Sequence, residues 1–150
     1  MRAVIQRVSQ ASVNIHNNTH ASIKQGLVIF LGIESNDNID DIVWLTGKIQ
    51  RLRIFNDVQL QMNLSISDIN GEILIISQFT LFASTKKGNR PSYIRAARPE
   101  TAITLYRQFT QHMQTLLPGK VQTGKFGEHM QISLVNDGPV TIIIDTKNKE

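Results

Sequence analysis

Two short stretches of the chain carry residue types that chemistry could use. In Ser77-Gln78-Phe79-Thr80-Leu81, three polar side chains interrupt the apolar run 73–83. A buried polar group needs a hydrogen-bond partner, so this segment either faces a solvated cleft or belongs to an internal network. Thr80 is a hydroxyl nucleophile by type, but no base accompanies it in these motifs, and an unassisted threonine hydroxyl is a weak nucleophile. The second stretch is Asn136-Asp137-Gly138-Pro139-Val140-Thr141, with Gly-Pro between two apolar runs. Its plainer reading is a tight turn joining neighbouring strands; the rarer one is a cis bond, found at about 5–6% of X–Pro pairs in folded proteins.

Ordinary catalytic signatures are missing elsewhere. His16, His20, His112 and His129 have no ligand-like spacing, and there is no HExxH, no cysteine and no carboxylate cluster, so neither a metal nor a cofactor is expected. The absence of a phosphate loop, a G-x-G-x-x-G turn and a G-x-S-x-G elbow disfavours nucleotide hydrolysis, dinucleotide binding and the usual serine hydrolase. Without cysteine there is also no disulfide framework, which suits a reducing, cytoplasmic setting. No apolar run approaches the roughly 18 residues of a membrane span, and the N-terminus lacks the apolar region of a secretion signal, so no membrane association is expected.

The 150 residues suit one domain with a full core, and 16 Lys+Arg against 12 Asp+Glu give a net charge of +4. That small figure conceals segregation: residues 1–33 carry +3, 34–72 carry −4, 73–127 carry +7 and 128–150 carry −2. The densest part holds Lys86, Lys87, Arg90, Arg95 and Arg98, with no acid between Glu72 and Glu100. Such a loop can track phosphates; the competing reading is a solvated basic loop with no partner.

The elements that must position these residues are mostly strands. Residues 2–8 and 12–15 read as short strands, with a hairpin loop over His16–His20. The nearly continuous apolar runs 27–33 and 73–83 read as central strands covered on both faces. A first helix follows the cap cluster Asn36-Asp37-Asn38, runs to about Ile54 and turns Ile39, Ile42, Val43, Thr46 and Ile49 inward. A second opens at Pro99, places Ala102, Leu105, Tyr106, Phe109, Met113 and Leu116 at helical spacing, and stops at Pro118-Gly119. Val121–Phe126, Gln131–Asn136 and Val140–Asp145 read as three further strands. The sum is an α+β fold: a largely antiparallel curved sheet or open β-barrel covered by two helices, with edges that invite a homodimer.

Taken in order, the opening Met1–Val8, the segment 77–81, Asn89-Arg90-Pro91-Ser92-Tyr93 with Ala97-Arg98-Pro99, and the segment 136–141 resemble the D-aminoacyl-tRNA deacylase family along essentially the whole chain. Phe82 departs from the pattern, where a smaller residue is expected. The resemblance implies a homodimeric enzyme that hydrolyses the ester of D-aminoacyl-tRNA, with no DNA or membrane partner. It implies that Ser77, Gln78, Phe79 and Thr80 form the catalytic pocket floor. Gly138 and Pro139, joined by a cis bond and supported by Arg7, would reach into the pocket of the other subunit and exclude L isomers. Glycyl-tRNA, whose amino acid is achiral, would not be excluded.

Leu81, Ala102, Phe126 and Met130, with Phe79, are the candidate walls for the amino acid and the terminal adenosine; core packing is the competing explanation. Lys86, Lys87, Arg90, Arg95 and Arg98 are placed to contact tRNA phosphates. Because no base is at hand for Thr80, the favoured chemistry uses backbone N–H donors near Phe79 and Thr80 and the substrate's own 2′-hydroxyl. The alternatives are a non-catalytic RNA-binding module of small β-barrel type and a purely structural dimer. Only nine aromatics, mostly inside apolar runs, argue against a base-stacking module.

Overall fold

The computed structural model describes residues 1–149. The chain opens on one long strand, β1 (Arg2–Ile15), in place of two short ones. A tight turn at His16 and Asn17, both with positive φ, leads into β2 (Asn18–Ile23), so the hairpin loop is shorter than the sequence suggests. Next come β3 (Gly26–Gly32), α1 (Ile39–Gln50), a small hairpin of β4 (Phe55–Asn56) and β5 (Met62–Leu64), and β6 (Glu72–Ser77). A 3-10 turn over Phe79–Phe82, α2 (Pro99–Leu116), β7 (Val121–Thr123) and β8 (Gln131–Asp145) complete the order.

The α+β class holds, with a mixed sheet. β1 pairs antiparallel with β2, β3 and β8, whereas β6 pairs parallel with both β3 and β7. β2 and β3 occupy successive halves of one β1 edge and β8 runs along the other. The sheet curls until β2 comes against β6 and β7, giving a barrel-like shape. One face buries Ala3, Ile5, Leu27, Ile29, Leu31, Ile73 and Ile75 beneath both helices, and the opposite face buries Val8, Val28, Leu74 and Ile76 against Val13, Ile15 and Ile23. Each Val, Leu or Ile side chain so taken from water contributes about 1.5–3 kcal/mol, which is why both faces of the β3–β6 pair read as unbroken apolar sequence.

Asn38 caps α1: its Oδ1 accepts from the backbone N–H of Asp40 and Asp41 while its own N–H donates to Asp41 Oδ2. The buried stripe is Ile42, Leu45, Thr46 and Ile49, leaving Ile39 and Val43 half-exposed, so the helix is rolled by about one position from the face predicted. It also stops at Gln50, short of Ile54; Leu52 and Ile54 reach the core from irregular chain instead. α2 buries its predicted face and starts at Pro99, as its sequence requires. Among the described residues, no helix is long and apolar enough to cross a membrane.

Two departures shape the functional region. The apolar run 73–83 is not one strand: pairing ends at Ser77, and Gln78 N–H makes the last sheet bond, to the Leu31 carbonyl. Leu81 N–H then bonds back to Gln78 and Ala83 N–H to Thr80, winding a 3-10 turn. Periodicity could not separate strand from turn, because Phe82 and Leu81 are apolar in either. The turn fits because Gly32 ends β3: a Cβ there would lie 3.0 Å from Leu81 Cβ and 3.1 Å from the Gln78 carbonyl oxygen. The second departure is that Gly138-Pro139 does not join two strands. Gln6 pairs with Thr141 and Val8 with Asn136, so the single residue Arg7 faces Asp137–Val140, and β8 bulges outward there.

Candidate active site

The 3-10 turn decides which backbone groups are free to act. Its ladder starts with Leu81 N–H, so Phe79 and Thr80 N–H fall outside it, as the first donors of any helical segment do. A cavity of about 50 Å³ lies beside them, lined by Leu31, Ile33, Ser77, Gln78, Phe79, Ala97, Ala102 and Phe126. This is room for a few water molecules. Five sequence candidates, Ser77, Gln78, Phe79, Ala102 and Phe126, therefore converge on one cavity. Phe126 is steadied by Tyr106, ring centroids 5.7 Å apart, and the Tyr106 hydroxyl donates to the Ile75 carbonyl at 2.8 Å. Burial pushes the Tyr106 phenol far above its ordinary value, so it stays neutral and is no base.

Thr80 is not in the cavity lining, and its Oγ1 accepts a hydrogen bond from Gln78 Nε2. An amide N–H donor cannot remove a proton, so this contact positions the hydroxyl without activating it. Leu81 faces the other way, into a groove of about 670 Å³ bordered by Trp44 and Ile142–Ile144, and its carbonyl accepts from Arg2. Met130 lies against Gly124 and Ile76, in the apolar cluster on the opposite sheet face, outside the cavity lining. The larger groove holds none of the Ser77–Thr80 residues; the smaller cavity is the candidate site because the unladdered donors begin at its wall.

Arg7 and the bulge form one unit. Arg7 is 6% exposed, donates from Nε to the Asp137 carbonyl at 3.1 Å and from Nη1 to the Ile54 carbonyl at 2.6 Å, and pairs with the Asp137 carboxylate at 3.2 Å. One rigid fork thus ties the bulge to the segment entering β4. Gly138 has φ +123°, a conformation suited to glycine, and the Gly138-Pro139 bond is cis, with both residues exposed. Ser77 lies level with Leu31, Ala3 and Ile144 across the sheet, and Arg7 is four residues further along β1. The bulge is therefore about 13 Å along and about 14 Å across from the Ser77 end of β6, roughly 20 Å over the sheet surface.

The basic loop borders the cavity. Ser84 and Ser92 bond each other through both backbone N–H groups, closing a hairpin that presents exposed Lys86, Lys87 and Arg90. Ala97 N–H donates to the Ile33 carbonyl and Ala97 lines the cavity, flanked by exposed Arg95 and Arg98. At the mouth, Phe79 is 57% exposed and meets Tyr93 edge to face at 5.0 Å. Tyr93, Ala97, Leu31 and Ile33 were not singled out as wall residues. The first two lie in the quoted motifs 89–93 and 97–99, and the last two in an apolar run that gave no local signal.

The arrangement defines a class: an α+β barrel-like domain with a small pocket of apolar walls and unladdered backbone N–H groups beside an exposed basic loop. The model of the D-Tyr-tRNA(Tyr) deacylase family matches residues 4–145. The chain is 62% identical over 150 residues to the D-aminoacyl-tRNA deacylase of Flavobacterium psychrophilum and 59% identical to that of Cytophaga hutchinsonii, in each case with 100% of both chains covered. Among solved structures, "c-Myc DNA Unwinding Element Binding Protein" is similar at TM-score 0.92 and 37% identity, covering 97% of this chain and 98% of that one. A "probable eukaryotic D-amino acid tRNA deacylase" shares the fold at TM-score 0.84 and 15% identity, covering 95% and 97%. The chain belongs to the D-Tyr-tRNA(Tyr) deacylase family.

Proposed function

We propose that this chain edits aminoacyl-tRNA by hydrolysing the ester between a D-amino acid and the terminal ribose, through backbone donors and without a protein nucleophile. The hydrolase activity follows from the family. The carrying observation for the mechanism is the 3-10 turn, which leaves Phe79 and Thr80 N–H outside its own ladder, with Phe79 in the wall of the cavity. An aminoacyl ester is already labile. Holding its carbonyl on fixed donors stabilises the charge that develops as water attacks, and the substrate's 2′-hydroxyl can orient that water. The exposed Phe79 and Tyr93 rings offer a stacking face to the terminal adenosine.

Selection against L isomers is assigned to Gly138 and Pro139 of a second copy. The distance of roughly 20 Å over the sheet separates the bulge from the cavity of its own chain, so a bulge that serves a cavity serves another chain's. A homodimer in which each copy offers bulge and cavity is self-complementary. The bulge's carbonyls would hold the substrate ammonium and occupy the volume an L side chain needs; glycine, lacking a side chain, passes. Incubation with D-tyrosyl-, L-tyrosyl- and glycyl-tRNA tests this: loss of the D and glycyl esters with the L ester intact supports it, and equal loss of D and L overturns it.

The basic hairpin is read as a sequence-blind phosphate contact. Replacing Lys86 and Lys87 by glutamine should weaken all tRNAs alike and reduce the slope of log affinity against log salt by about two. Filter binding across a salt series, with duplex DNA as competitor, measures it; selective loss for one tRNA would contradict the reading.

A further inference from the structure

The turn carrying Phe79 and Thr80 is gripped at its far end by a residue to which the sequence assigned no role in the site. Arg2 donates from Nη1 to the Leu81 carbonyl at 2.8 Å, and from Nε and Nη2 to Asp145 Oδ2 at 3.0 and 2.8 Å. Its guanidinium also lies 5.1 Å from the centroid of the Phe82 ring, and that of Arg95 lies 5.5 Å from the same ring. Phe82, the last residue of the turn, is 1% exposed. Each guanidinium has a carboxylate of its own: Asp145 for Arg2 and, at 3.4 Å, Glu34 for Arg95. Arg2 and Asp145 are register partners on β1 and β8, so the anchor is part of the sheet.

We propose that Arg2, oriented by Asp145 and stacked on Phe82, is a positioning residue for hydrolysis: it fixes the 3-10 turn so that the N–H of Phe79, in the cavity wall, and that of Thr80 next to it keep their placement. The proposal rests on reading those two groups as the donors to the ester carbonyl. Arginine suits the task because its planar fork bonds a carboxylate on one side and a carbonyl on the other while its face covers a ring; an ammonium cannot do all three. Phe82 then has a reason to be large. Where the family resemblance leads one to expect a smaller residue, this chain places a ring that both cations cover, and the turn is clamped through backbone and side chain together.

The test compares Arg2→Ala, Arg2→Lys and Phe82→Ala with the unaltered protein on D-tyrosyl-tRNA, measuring kcat, KM and the thermal midpoint. Displacing a catalytic group by an ångström or so costs up to about a hundredfold, so each variant should lose about tenfold to a hundredfold in kcat with KM unchanged. Lysine should not rescue, and Arg2→Ala with Phe82→Ala together should lose little more than either alone. Asp41→Asn, which removes the 2.7 Å Lys147 contact elsewhere, is the stability control and should keep its kcat. Wild-type kcat in folded Arg2 variants, rescue by lysine, or an equal loss of kcat in Asp41→Asn overturns the proposal. Thr80→Ala run alongside separates the two readings: a thousandfold loss there defeats the backbone-donor mechanism, whereas failure of the Arg2 variants alone defeats only the clamp.

Discussion

Phe79→Pro is expected to lower kcat on D-tyrosyl-tRNA by about 10²–10³-fold, the usual cost of removing one donor from an oxyanion site. Proline deletes the N–H while leaving the backbone able to hold its place, because it is tolerated at the first position of a helical turn. Gln78 before it has φ −145° and ψ 79°, outside the helical region that a following proline forbids. Loss of the ring is controlled by Phe79→Ala, which keeps the N–H; the side chain is 57% exposed, so its removal costs little stability. The contrast is Thr80→Ala, which gives up the Gln78 Nε2 contact, about 1 kcal/mol, and should keep most of its activity. If Thr80→Ala loses a thousandfold with fold and tRNA affinity unchanged while Phe79→Pro stays active, Thr80 is a covalent nucleophile and the backbone mechanism falls.

The stretch that holds the candidate site was legible in outline for a physical reason. Polar residues inside an apolar run must be satisfied somewhere, and a lone threonine without a base already turns attention from side chains to backbone. Arg7 was legible only through the family resemblance; in the structure its fork reaches the Asp137 carbonyl. What sequence could not convey was the path of the chain. Ser77–Leu81 looks like strand because Leu81 and Phe82 would be apolar in a strand or in a turn packed on Gly32, and pattern does not distinguish the two. The halves of β8 look like a hairpin because Gly-Pro is a turn signal; that both halves pair with β1 is a long-range fact, fixed by a register that runs from Asn14 opposite Gln131 to Arg2 opposite Asp145. Arg2 was invisible as a site residue, since its partners Leu81 and Asp145 are 79 and 143 positions distant.

Mixing two inactive proteins should restore activity, and no single-chain site can do so. Gly138→Ala forces a Cβ to within 2.8 Å of Val140 Cγ2 and 3.0 Å of Arg7 Nη2, at a φ of +123° that alanine resists. Strain of this kind costs on the order of 1–3 kcal/mol, against a typical domain stability of about 5–15, so the fold persists and the bulge shifts. That variant keeps a sound cavity but loses the carbonyls that hold the substrate ammonium as well as the selecting wall, and with them its activity; Phe79→Pro loses the cavity's donor and keeps the bulge. In a dimer of one each, one site combines the sound cavity with the sound bulge and the other combines both defects. Random exchange of equal amounts gives about half mixed dimers, hence about a quarter of the wild-type sites, with D-over-L selectivity intact. Coexpression with two different tags, purification of the mixed species and the D-tyrosyl-tRNA assay read this directly. Mixed dimers that are formed and remain inactive would place Gly138 and the cavity in the same chain's service, and Gly138→Ala with full selectivity on its own would remove the bulge from selection altogether.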